Sequence, residues 1–249
     1  MSTAAIPVHI ALIDQSGKID QAALTEVAGA LNEQIQADFA PIWRVRATVG
    51  VYATVAPGTW QVIVQTKLDQ PDALGYHTDD THNQPVSYIE YTDDWSVSVS
   101  HETLEMLADP FGNRMHAARL PQGTESAYEH FGLKSQASRV HYLLEVCDPP
   151  ENTSYEVGGV ALSDFLLPGW YRSSVRPTDA YSHAQGCTMP RQVADGGYVS
   201  FGNDAGEWFQ VFNENGKLSV ESLGKFNRAK HATLREFADV HARTRRAKR

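Results

Sequence analysis

Two cysteines in 249 residues are too few for a disulfide-stapled fold or a cysteine-rich structural zinc module. No apolar run approaches the ~20 residues of a membrane-spanning helix. Basic residues are outnumbered: 21 Lys/Arg against 30 Asp/Glu give a formal charge of -9, which argues against a nucleic-acid binder working through bulk charge. The opening Met1-Ser-Thr-Ala-Ala-Ile-Pro-Val-His-Ile has neither a basic start nor an apolar stretch long enough for a secretory signal. Cytoplasmic residence is therefore the expectation, with export by a non-classical route as the alternative. There is no internal repeat, no G-x-S-x-G elbow and no P-loop. The lack of any Glu-x-x-His pair argues against a ferritin-like di-iron site. Neither cysteine lies in C-x-x-C. Cys147 reads as a small buried hydrophobe, and it can pair with Cys187 only if the fold brings the two together.

What remains is a chain rich enough in hydrophobic (42%) and aromatic (10%) residues to build a core. Its charge is lopsided. Residues 225–249 hold nine Lys/Arg against Glu236 and Asp239, whereas residues 1–224 hold 12 basic and 28 acidic residues. The expected organisation is a single body over 1–224, with halves at 1–115 and 116–224, followed by a basic helix or tail at 225–249.

Alternation of Val8, Ile10 and Leu12 predicts a strand over 7–13. Asp20 can cap a helix reaching about Asp38, with Leu24, Val27, Leu31 and Ile35 on one stripe. The β-branched runs 45–55 and 60–67 flank a turn at Ala56-Pro-Gly-Thr. Residues 68–84 read as a polar loop, Pro85–Tyr91 as an edge strand with Pro first, and 96–108 as a helix closed by Asp109-Pro110. Val140–Val146 reads as a strand or short helix and 160–171 as a buried apolar segment. Gly196-Gly197, Asn203–Gly206 and Asn213–Gly216 punctuate hairpins, and 227–245 can form a last helix docked by Phe226, Leu234, Phe237 and Val240. The fold class is α+β: a twisted mixed sheet with helices, then a hairpin-containing C-terminal half.

The sharpest chemical signal is Ser100-His101-Glu102-Thr103-Leu104-Glu105-Met106-Leu107-Ala108-Asp109-Pro110. On a helix, His101 and Glu105 project from one face and can hold one metal ion. Glu102 lies about 100° around the helix, where it addresses a water more easily than the ion. This is the logic of H-E-x-x-H with Glu replacing the second His.

With these residues, 85–109 resembles the active-site region of the zincin superfamily of metallopeptidases, in which a strand lining the substrate cleft precedes the active-site helix. The β-α-β-β order before it is similar to the upper half of a zincin domain. The resemblance implies a zincin-like sheet, a catalytic metal at His101 and Glu105, and a general base at Glu102. Zinc is the ion implied, with Mn, Fe or Ca as alternatives. A third ligand is required. The metzincin branch would place His at position 111, which is Phe. The gluzincin branch supplies a later Glu with an Asp behind it, and Tyr142-Leu-Leu-Glu145-Val-Cys-Asp148-Pro fits that pattern. Leu104-Glu105 with Asp109-Pro110 and Leu144-Glu145 with Asp148-Pro149 also resemble each other, which makes Asp109 and Asp148 supporting or alternative ligands.

His77 is a candidate to assist substrate from the cleft rim, and Tyr155 or Tyr171 to stabilise an oxyanion. His82, His130, His141 and His183 read as solvated or structural. The implied activity is metal-dependent hydrolysis of a peptide or protein substrate, with no nucleic-acid or membrane partner. The alternative is a non-catalytic module in which the carboxylates bind Ca or Zn structurally.

Overall fold

The computed structural model describes residues 7–52, 55–70, 73–124, 129, 131, 139–176 and 179–246. It is a mixed α/β structure that divides into two compact units. The first comprises residues 1–111 and 154–163; the second, 112–153 and 164–249. This differs from the expected body and tail. Residues 225–246 belong to the second unit, and the segment 154–163 returns to the first. No helix among the described residues is long and apolar enough to cross a membrane.

The first unit is built on a five-stranded sheet: β1 (Val8–Asp14), β2 (Ala47–Val51), β3 (Trp60–Gln65), β4 (Gly75–Asp79) and β5 (Pro85–Glu90), in the order β2-β1-β3-β5-β4. The first four in that order are parallel, while β4 runs antiparallel to β5. Ile10, Ala11 and Leu12 in succession are fully buried, as in a parallel strand covered on both faces.

Between β1 and β2 runs α1 (Gln21–Glu33), whose start is fixed by Asp20 accepting from the Ala23 amide at 2.8 Å. Leu24, Val27, Leu31 and Ile35 are all buried, as the stripe predicts. The helix does not run smoothly to Asp38. It widens into a π-helical turn at Gln34–Phe39 and finishes as α2 (Ala40–Trp43), ended by Arg44 in the left-handed region. The widened turn keeps Gln34, Ile35 and Phe39 all buried.

The expected polar loop at 68–84 contains β4, so two expectations are corrected together. Tyr76 pairs with Tyr88 and His77 with Ser87. Consequently β5 lies inside the sheet and β4 is its edge. Pro85 is tolerated because it stands at the first position of β5, opposite Asp79. The helix α3 (Trp95–Ala108) follows β5. It packs on β3, β4 and β5, and on the returning hairpin of β8 (Ser154–Val157) and β9 (Val160–Ser163). A buried relay joins these parts. Ser100 donates to Gln34 Oε1, the Ser163 amide donates to Ser100 Oγ, and Gln34 Nε2 donates to the Ser163 carbonyl.

The second unit holds an antiparallel sheet ordered β12-β11-β10-β7-β6. Its strands are β6 (Met115–Arg119), β7 (Arg139–Leu143), β10 (Tyr198–Gly202), β11 (Glu207–Glu214) and β12 (Lys217–Lys225). The β11–β12 turn carries Asn215 and Gly216 at φ 54 and 76, the two left-handed positions of a tight hairpin. Tyr142, Trp170, Tyr171 and Phe201 form its aromatic core. The last helix, α4 (Leu234–Arg246), starts later than expected. Leu234 and Ala238 are buried with Leu143 and Trp208, and Phe226 and Phe237 pack against them. Val240, an expected docking position, is exposed. Cys147 and Cys187 are both buried, and no disulfide joins them.

Candidate metal centre

From Val99 to Ala108 every residue of α3 except His101 is buried, so the helix carries Glu102 and Glu105 into the interior of the first unit. Their side chains are acidic in a place where an unpaired carboxylate costs several kcal/mol. His101 Nε2 lies 3.4 Å from Glu105 Oε1, the one-face arrangement expected from the i, i+4 spacing. Glu102 does not stand apart from that pair. Donor atoms of His101, Glu102 and Glu105 all fall within 4.8 Å of one another, because the long Glu102 side chain compensates for its offset around the helix.

His77 completes the surroundings of Glu102. It is buried rather than on a rim, which corrects the expectation from sequence. Its Nδ1 is 3.4 Å from Glu102 Oε2, and its Nε2 is 3.0 Å from the Asp109 carbonyl oxygen. A carbonyl only accepts, so Nε2 carries the hydrogen there. Asp109 itself is buried at the end of α3, its amide donating to the Glu105 carbonyl at 2.7 Å. Its main chain thereby links the helix end to β4. A ring nitrogen of His77 also lies within 4.8 Å of a Glu105 carboxylate oxygen.

His101, Glu102 and Glu105 form a group that could hold a metal ion. Two donors each about 2.0–2.1 Å from a tetrahedral ion stand about 3.4 Å apart, and both histidine–carboxylate separations are 3.4 Å. That distance is long for a charge-assisted hydrogen bond, whose ordinary length is about 2.7–2.9 Å.

Two neighbours of Glu102 were not identified from sequence. Gly75 and His77 stand two apart on β4, which puts both on one face. The signal was present in Gly75-Tyr-His77, but it becomes readable only once 75–79 is known to be a strand.

The remaining candidates lie outside α3 and β4. Glu145 and Asp148 belong to the second unit, where both are buried. Glu145 Oε2 is 3.3 Å from Arg235 Nη1, and Glu145 is also among the buried acidic residues that could hold a metal ion. The Asp148 carbonyl accepts from the amides of Glu151 and Tyr198. Tyr155 Oη donates to Asp38 Oδ2 at 2.9 Å, which commits the proton that an oxyanion would need. Tyr171 is a core aromatic, 4.9 Å from Trp170 and 4.2 Å from His116, rather than an oxyanion donor. His82 is exposed beside Asp80, His141 bonds Asp204, and His183 stacks on Phe165. His130 lies outside the described residues. Compared with family models, curated proteins and solved structures, the chain matches none.

Proposed function

We propose that this protein is a metal-dependent hydrolase whose centre lies on α3, with a peptide or protein as substrate. The observation that carries the reading is the convergence of His101, Glu102 and Glu105 donor atoms within 4.8 Å, two of them on buried carboxylates. Two such carboxylates side by side repel each other, and a divalent cation removes both that repulsion and their desolvation cost. His101 and Glu105 would hold the ion, zinc being the best match to imidazole with carboxylate, and Mn, Fe or Ca the alternatives. When bound, zinc supplies Lewis acidity to a carbonyl and acidity to water. Glu102 would accept the proton from the attacking water, held in place by His77 and by the close approach of Gly75. His101 is the least buried of the three.

The proximity of Glu102 to the other two donors favours a second reading, in which Glu102 is itself a ligand and the cation only stabilises the fold. The two readings separate in Glu102→Gln. For a hydrolase, metal content measured by plasma mass spectrometry stays near one ion per chain while turnover on a peptide library falls by about 10²-fold or more. Loss of metal in Glu102→Gln, or no hydrolysis by the wild-type chain with Zn²⁺, Mn²⁺ or Co²⁺ supplied, leaves the structural-ion reading.

A further inference from the structure

We infer that Gln34, Ser96 and Ser100 are positioning residues that lock the register of α3 against β9 and so aim the His101–Glu105 donor pair. The inference rests on the reading of those two residues as metal ligands. It adds what holds them in the geometry that an ion demands.

The lock has two points on one helix face. Ser96 and Ser100 stand four residues apart, so they lie one above the other. Ser96 Oγ donates to the Ala161 carbonyl at 2.8 Å, and Ser100 Oγ accepts from the Ser163 amide at 3.1 Å. One hydroxyl would let the helix pivot about its contact. Two, bound to alternate residues of one strand, set both its rotation and its place along its axis.

The second point is closed into a ring. Gln34 Nε2 donates to the Ser163 carbonyl at 3.0 Å, and Gln34 Oε1 accepts from the Ser100 hydroxyl at 2.8 Å. The Ser163 carbonyl only accepts and its amide only donates, so one assignment of protons satisfies all three bonds. Gln34, Ser100 and Ser163 are fully buried, where solvent does not compete for those bonds. Gln34 also opens the π-helical turn at Gln34–Phe39, a distortion often found where geometry serves a function.

Hydrophobic packing cannot do the same work. Val99, Leu104, Met106, Leu107 and Ala108 are buried on every side of α3, so apolarity gives the helix no preferred face. Around its axis, Ser96 lies about 40° to one side of Ser100, and His101 and Glu105 about 100° and 140° to the other. A slip of one residue would turn α3 by about 100° and move it about 1.5 Å, whereas metal–ligand distances tolerate only about 0.2 Å.

The test is Co²⁺ binding to the full chain, followed through its visible d–d bands, beside stability in urea. Ser100→Ala and Gln34→Leu should weaken Co²⁺ binding by about tenfold and shift the bands, as when groups that orient metal ligands are removed. Ser96→Ala, at the less buried point, covers the case in which those variants do not fold. It should weaken binding too, and Ser96→Thr, which keeps a hydroxyl, should restore it. Ile10→Val, which trims the core at β1, should lower stability and leave affinity and bands unchanged. If the folded serine and Gln34 variants lose stability but bind Co²⁺ with wild-type affinity and bands, the lock is structural only, and the inference falls while the centre stands. If the wild-type chain binds no Co²⁺, or if His101→Ala and Glu105→Ala bind it undiminished, the centre itself fails and the inference with it.

Discussion

Gly75 is required for space rather than for backbone freedom. A Cβ built on it would stand 2.8 Å from Glu102 Cγ and 3.0 Å from Oε1, well inside van der Waals contact. On the proposed hydrolase reading, Gly75→Ala should displace the Glu102 carboxylate and lower turnover by about tenfold to a hundredfold, the scale of a misplaced catalytic group. Metal content should remain near wild type, and a variant with unchanged turnover would show that Glu102 needs no such room. His116 offers a second measurement, through pH. Burial, and then the Arg139 charge, hold its imidazole below the ordinary value of 6.5, so the folded state resists protonation. The sign follows from linkage: the unfolded chain binds the proton first, and stability falls as pH drops through 6.5 toward the lower folded value. In urea titrations across that window, His116→Phe should lose part of this acid sensitivity. Cys187 is pushed up to about 12, chiefly by burial, so the native chain should react slowly with a thiol reagent at pH 8 and expose two thiols on unfolding. At this scale the His101–Glu105 pairing was legible, because an i, i+4 pair on one helix needs only local geometry, whereas the approach of Glu102 to both was not. His77 was legible only as a rim candidate, since a histidine in a polar stretch carries no mark of its partners until strand pairing brings it to Glu102.

Helix α3 is held in place by polar contacts as well as by packing. The relay through Gln34, Ser100 and Ser163 is buried throughout, and it fixes the residue immediately before His101. Ser100→Ala would leave the Gln34 carbonyl oxygen and the Ser163 amide without that hydroxyl, at a cost of about 1–3 kcal/mol. Equilibrium urea unfolding is the check, and a change below about 0.5 kcal/mol would mean that the relay rearranges around the loss. For α4, Leu234→Ala should cost about 2–3 kcal/mol, because Leu234 packs in a core with Leu143, Trp208 and Ala238. A negligible change would show α4 to be peripheral. Strands β1, β3 and β5 and helices α1 and α3 were legible from periodicity and caps. Strand β4 was not, because Gly75-Tyr-His-Thr-Asp79 has little β-branched or alternating character, and its place comes from pairing with β5. The start of α4 was also misjudged: Asn227, whose side chain accepts from the Ala229 amide, holds the preceding segment in turns.

On the scale of the whole molecule, neither unit is a continuous stretch of chain. The first closes only when β8 and β9 return from beyond residue 153 to cover α3. That return was not legible in the sequence, because pairing a hairpin with a helix laid down earlier leaves no local signature. Residues 1–111 alone should consequently be less stable than the same residues joined through a flexible linker to 154–163. The comparison by circular dichroism and thermal unfolding should favour the joined form by several degrees, and equal melting temperatures would show the hairpin to be dispensable. The discontinuity also sets a clock on the chain's manufacture. Helix α3 and its carboxylates leave the ribosome about fifty residues before the hairpin that covers them. At about 5–20 residues per second, that is a delay of roughly 3–10 s. During that interval a nascent chain presents a half-covered apolar helix bearing two acidic groups, a surface open to chaperones.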